Sequence, residues 1–155
     1  VFTQAMAERL DSVCALKVLH AEHGMPLAPN HVYIAPGGQQ TLVKRYGMGR
    51  GRIEISDKHD GQLYKPSVDL LFSSTAAAFG SRTLAIVLTG MGEDGLIGAR
   101  DLQPKHATIL AQSAESCVVY GMPKAVTQAG LVAASLNPQQ IAAQLQALGT
   151  GRSAA

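Results

Sequence analysis

Two adjacent acids, Glu93 and Asp94, stand in the turn Gly90-Met91-Gly92-Glu93-Asp94-Gly95. Directly before it runs Leu84-Ala85-Ile86-Val87-Leu88, short and bounded by Arg82, which fits a strand buried on both faces of a parallel sheet. In an open parallel sheet, ligands and chemistry collect beyond the carboxyl ends of the strands, so Asp94 falls where a working carboxylate belongs. An acid there can ligate a metal, move a proton, or orient a histidine in a nucleophilic triad. It can also simply cap the N–H groups of the helix that follows. Turn chemistry alone leaves all of these open.

The same turn spells G-x-G-x-x-G between a strand and a helix, and Glu115 lies about 20 residues beyond it, as in a dinucleotide fingerprint. Glu93 and Asp94 argue against that label, because a pyrophosphate needs bare N–H groups and positive potential. The Gly-Lys-Ser/Thr ending of a P-loop is also missing. A metal would need partner ligands, and the five His are scattered. His20 and His23 flank Glu22 without forming H-E-x-x-H, so no metal is expected. No G-x-S-x-G elbow marks a nucleophile. Ser67, Ser73, Ser74 and Ser116 read as cap, helix and loop residues, and Cys117 as a buried, inert thiol.

The elements that position Asp94 are legible around it. Val68, Leu71, Phe72, Thr75, Ala76 and Phe79 trace one face of a helix, with Pro66 near its first turn and Gly80 past its end. Helix, buried strand, glycine turn and helix in that order make a parallel α/β unit. Residues 96 to 103 continue as a short helix cut by Pro104, and 107 to 111 as another apolar strand. Upstream, Phe2, Met6 and Leu10 define one face of a first helix that Thr3 would cap. Strands are expected at 16 to 20 and 31 to 35, and a hairpin at 41 to 46 and 52 to 56 around a glycine loop. Residues 57 to 65 read as a polar loop. Downstream, Pro123 opens a helix that runs to Gly130, and Asn137 with Gln140 reads as a capping box for a last helix.

The 155 residues suit one domain, with residues 1 to 148 folded and 149 to 155 a frayed tail. A net charge of +2 is too small to point to nucleic acid; Lys44, Arg45, Arg50 and Arg52 cluster locally and read as a solvated hairpin. Two cysteines, Cys14 and Cys117, make no disulfide framework and fit a reducing, cytoplasmic compartment. Neither a signal peptide nor a run of the ~18 apolar residues needed to insert in a membrane is visible. The first residue is Val, which suggests a cropped start.

Taken together, the residues resemble the chemotaxis protein-glutamate methylesterases. Leu88-Thr89-Gly90-Met91-Gly92-Glu93-Asp94-Gly95 resembles that family's most recognisable motif. Pro66-Ser67-Val68-Asp69 with Leu71-Phe72 resembles a second, and Val118-Val119-Tyr120-Gly121-Met122-Pro123 after Ala111-Gln112 a third. Tyr33-Ile34-Ala35-Pro36-Gly37 and Phe2-Thr3 with Leu10 extend the match over nearly the whole chain, in family order. The Gln103-Pro104-Lys105-His106 and Ser113-Ala114-Glu115-Ser116 stretches depart from the family pattern.

The resemblance implies a doubly wound, mostly parallel three-layer α/β/α domain. It would hydrolyse glutamate methyl esters on the cytoplasmic domain of methylated chemoreceptors, and in some members also deamidate glutamines. Asp94 matches the Asp of the family's Ser-His-Asp triad, and the backbone of Met91 would lie on the oxyanion side. The family's Ser and His stand upstream of the positions that Phe2-Thr3 match, so a strand-helix-strand unit is expected to be absent and the chain alone inactive. The regulatory receiver domain of full-length relatives is expected to be absent as well. A non-catalytic member that binds a receptor or scaffold is the rival reading, and a dinucleotide-binding domain a more distant one.

Overall fold

A computed structural model describes residues 1–58 and 61–149. Residues 150 to 155 of the expected tail, and 59 and 60 of the polar loop, lie outside the described residues. Gly149, expected to fray, instead closes the last helix.

The chain opens with helix α1 (Phe2–Val13), followed by two short parallel strands, β1 (Lys17–His20) and β2 (His31–Ile34), paired from Lys17↔His31 to His20↔Ile34. An antiparallel hairpin comes next, β3 (Gln40–Tyr46) and β4 (Arg50–Ser56), and then helix α2 (Val68–Phe79). From there the chain alternates strand and helix: β5 (Leu84–Val87), α3 (Leu96–Leu102), β6 (Thr108–Gln112), α4 (Met122–Gln128), β7 (Ala134–Leu136) and α5 (Pro138–Gly149). Strands β5, β6 and β7 form a parallel sheet in that spatial order. Among the described residues the parallel strands thus fall into two ladders, β1–β2 and β5–β6–β7.

Side-chain alternation along the strands builds the layers. Ala85, Val87, Ile109 and Ala111 form one face of the three-stranded sheet and pack with Ala76 of α2, Ala99 and Leu102 of α3 and Val126 of α4. Leu84 and Leu110 point the other way, toward Gln144 and Leu148 of α5. Helices therefore cover both faces, the three-layer arrangement expected from the sequence. Leu102, Ile109 and Val126 are at most 1 % exposed, and each such side chain contributes about 1.5–3 kcal/mol by leaving water.

Several local expectations need correction. Thr3 does not cap α1: the cap position is Val1, without a side-chain bond, and Thr3 Oγ1 lies 2.9 Å from His20 Nε2. That contact, with Ala7 buried, turns the face of Thr3, Ala7 and Leu10 toward β1. Phe2 is left 78 % exposed and Met6 at the surface. Pro66 lies near the first turn of α2, as expected, directly before the cap residue Ser67. Strand β7 was not anticipated, because three residues are too short to show alternation. Cys117 is half-buried, with its Sγ 3.8 Å from the Gln112 carbonyl oxygen. The capping box of α5 is present: Gln140 N–H donates to Asn137 Oδ1 and Asn137 N–H to Gln140 Oε1, both at 2.9 Å.

Candidate active site

Strand β5 ends at Val87, and the glycine turn carries the chain across the top of the sheet into α3. Gly95 takes φ +104°, a left-handed conformation that side chains resist, and this drives the sharp entry into the helix. The turn is clasped from the side by the Val118–Pro123 stretch. Gly90 N–H donates to the Val119 carbonyl oxygen at 3.0 Å, and the amides of Gly121 and Met122 donate back to the Gly90 oxygen. Thr89 completes the clasp, its hydroxyl donating to the Val119 oxygen and accepting from the Val119 amide, both at 2.9 Å.

Asp94 is 9 % exposed and does not cap the helix that follows it. Its carboxylate reaches the N-terminus of the preceding helix, α2. Oδ2 accepts from Val68 N–H at 2.8 Å, and Oδ1 accepts from Asp69 N–H at 3.0 Å and from the Ser67 hydroxyl at 3.3 Å. Helix α3 is capped in return by Asp69, whose Oδ1 accepts from the amides of Gly95 and Gly98, each at 2.9 Å. Each acid thus sits at the positive end of the other's helix, where negative charge is favoured. The exchange requires the two helices to touch at Gly98: a Cβ there would lie 2.5 Å from Phe72 Cβ and 2.8 Å from the Asp69 oxygen.

A second tier fixes the start of α2. Gln40, fully buried at the start of β3, accepts from Ser67 N–H at 2.7 Å and donates to the Tyr64 carbonyl oxygen at 2.7 Å. Ser67 Oγ accepts from Leu70 N–H, so this serine is an N-cap and not a nucleophile. No feature of the sequence pairs Gln40 with residue 67, and it was missed for that reason. Asp94 and Glu93 border a cleft of ≈ 260 Å³ with Gln62, Tyr64, Asp69 and Ile97.

Met91 is at the crest of the turn, 82 % exposed, and its amide makes no hydrogen bond among the described residues. No described histidine reaches Asp94. His20 contacts Thr3, His23 Nδ1 accepts from Ile55 N–H, His31 contacts the Pro29 oxygen, and His106 lies before β6 at the opposite end of the strands. The dinucleotide label fails on the same geometry, since the α3 N-terminus that would meet a pyrophosphate is filled by the Asp69 carboxylate.

A family model described as CheB methylesterase matches residues 1–145. The chain belongs to the CheB methylesterase family. It is 47 % identical over 145 residues to a protein-glutamate methylesterase/protein-glutamine glutaminase of Pseudoalteromonas translucida, covering 94 % of this chain and 37 % of that protein. A protein of the same description from Vibrio cholerae is 47 % identical over 144 residues, covering 93 % and 38 %. The chain thus spans little more than a third of the length of these relatives. The crystal structure of the Thermotoga maritima CheB methylesterase catalytic domain matches at a TM-score of 0.89 and 36 % identity, covering 95 % of this chain and 77 % of that one. At that similarity the family's doubly wound α/β fold is shared. Among the described residues no helix is long and apolar enough to cross a membrane.

Proposed function

We propose that this chain carries the Asp-bearing part of a methylesterase that hydrolyses glutamate methyl esters on cytoplasmic chemoreceptor domains. The observation that carries the reading is Asp94 itself. It is a buried carboxylate at the carboxyl end of a parallel strand, held by two backbone amides, with the unbonded Met91 amide three residues away. A triad Asp needs such fixed geometry to hold an imidazole in the right tautomer and to stabilise it when protonated. Oδ2 accepts one hydrogen bond among the described residues and keeps a lone pair for an imidazole N–H.

In this mechanism a serine hydroxyl attacks the ester carbonyl as the histidine takes its proton. The tetrahedral oxyanion forms beside the Met91 N–H, and the methoxy group leaves as methanol with the proton from the imidazolium. Water then cleaves the acyl-enzyme and restores glutamate. Deamidation of glutamine follows the same course with ammonia leaving. In this reading the serine and the histidine come from the part of the longer relatives that this chain does not span. No metal or organic cofactor takes part in these steps.

Methanol release from methylated receptor tests this. The full-length protein releases methanol, and the 155-residue polypeptide alone releases none. Turnover by the short polypeptide would overturn the division of the triad; no turnover by the full-length protein would favour a receptor- or scaffold-binding role.

A further inference from the structure

The far end of α2 carries a second feature, unconnected with the esterase reading. A groove of ≈ 720 Å³ opens where α2 ends at Phe79 and Gly80, at the start of β5 and thus the opposite end of the strand from Asp94. Its charged lining is Arg45 from β3, Arg82 from the turn before β5 and Lys105 from the turn before β6; among the described residues no acid lines it. All three are exposed, and among the described residues none makes an ion pair or a side-chain hydrogen bond. The Arg82 guanidinium rests over the Phe79 ring at 5.3 Å, which limits its orientations without using its N–H donors. Met48, at the tip of the hairpin and 94 % exposed, adds an apolar lip.

We propose that this groove docks an acidic polypeptide segment. Three unpaired cations around an acid-free groove are complementary to carboxylates, and such complementarity steers encounter and selects partners. A compact phosphate is a poorer fit. The backbone end that borders the groove is the carbonyl terminus of α2, which carries partial negative charge and repels a dianion brought against it. Carboxylates spread along a peptide reach the cations at the rim, while its apolar side chains lie on Met48 and the exposed Ala77 at the end of α2. Nucleic acid is disfavoured because among the described residues the groove offers no free aromatic face. Tyr46 faces away from it, under the Arg52 guanidinium at 4.0 Å, and the Phe79 ring is covered by Arg82.

The test uses the full-length protein and a fluorescent peptide of mixed Glu and Leu, with anisotropy as the readout. Arg45→Ala/Arg82→Ala/Lys105→Ala weakens binding about tenfold, the product of three screened contacts. Lys44→Ala/Arg50→Ala, on the opposite face of the hairpin, leaves it unchanged. Circular dichroism checks that both variants fold, as expected for exposed positions. Equal losses in the two variants would reduce the effect to overall charge and overturn the proposal. So would binding of an oligonucleotide or of inorganic phosphate at this groove in preference to the peptide. Methanol release is measured in parallel, so loss of docking with normal turnover on a free methyl ester separates this proposal from the esterase reading.

Discussion

At its N-terminus helix α2 is tied down by Asp94, Ser67 and Gln40 through hydrogen bonds of 2.7 to 3.4 Å, while at its C-terminus the side chains of Arg45, Arg82 and Lys105 make none among the described residues. Twelve residues, about 18 Å of helix, separate the two ends. The buried end has little freedom: each carboxylate oxygen of Asp94 has an assigned donor, and Gln40 beneath it is satisfied on both sides. Removing a partner there leaves a desolvated polar group, which costs about 1–3 kcal/mol. The exposed end can lose a cation with little effect on stability, because water already solvates it. Preorganisation of the first kind suits a catalytic group; flexible cations of the second kind suit recognition.

The largest effect is expected from asking whether the N-terminal end does chemistry or only holds helices together. Asp94 and Asp69 make the same kind of cap, so each substitution to Asn should lower stability by about 0.5–2 kcal/mol, read as a lower Tm. Turnover should distinguish them. Asp94→Asn is expected to lose about 10⁴-fold in methanol release, the scale of a missing triad Asp, and Asp69→Asn to stay close to the parent. Equal losses would make Asp94 a cap like its partner, and the contrast between the two ends would become one of stability alone.

Met91 sharpens the same comparison with a smaller effect. Its proposed role belongs to its backbone N–H, since the side chain is exposed. Met91→Pro, which deletes that donor, should lower kcat by about 10²–10³-fold, while Met91→Ala leaves it nearly unchanged. An alanine variant as slow as the proline variant would transfer the role to the thioether side chain.

Gly98 tests how closely the two capped helices must meet. Gly98→Ala forces a methyl against Phe72 Cβ and the Asp69 carbonyl oxygen, which lies in the α2 backbone and cannot swing aside. Overpacking of this kind costs about 1–3 kcal/mol. Both reciprocal caps should loosen together, so the drop in Tm should be accompanied by lower turnover. A fall in Tm with normal turnover would show that Asp94 holds its position without the helix contact.

The sequence exposes features whose partners are near in the chain and hides those whose partners are distant. The period of α2, the strand of β5 and the Asn137–Gln140 box are local patterns, and each is found in the structure, although β5 is fully buried only at Ala85 and Val87 and Leu88 beyond it is 52 % exposed. The Asp69–Asp94 exchange joins residues that face each other only after α2 and α3 pack, so the capping role that turn chemistry offers Asp94 falls on the wrong helix. The basic residues show the same limit. Lys44, Arg45, Arg50 and Arg52 are neighbours in sequence, but pairing of Lys44 with Arg52 and of Arg45 with Gly51 puts Arg45 on the other face. There it joins Arg82 and Lys105, which no spacing rule would group with it. For α1, the period was right and the buried face was not. The Thr3–His20 contact and the small Ala7 decide which side meets β1, and neither weighs in an apolar count.

The smallest effect is expected far from both ends of α2, at the cap of α5. Asn137 and Gln140 exchange two 2.9 Å hydrogen bonds in an exposed position, with no carboxylate, close helix contact or cleft involved. Asn137→Ala should cost about 1 kcal/mol, a drop of a few degrees in Tm, with methanol release unchanged. The variant therefore serves as a stability-matched control for Asp69→Asn and Asp94→Asn. If it lowered turnover as much as Asp94→Asn does at a similar Tm, the loss at Asp94 would reflect general destabilisation and not the chemistry of its carboxylate.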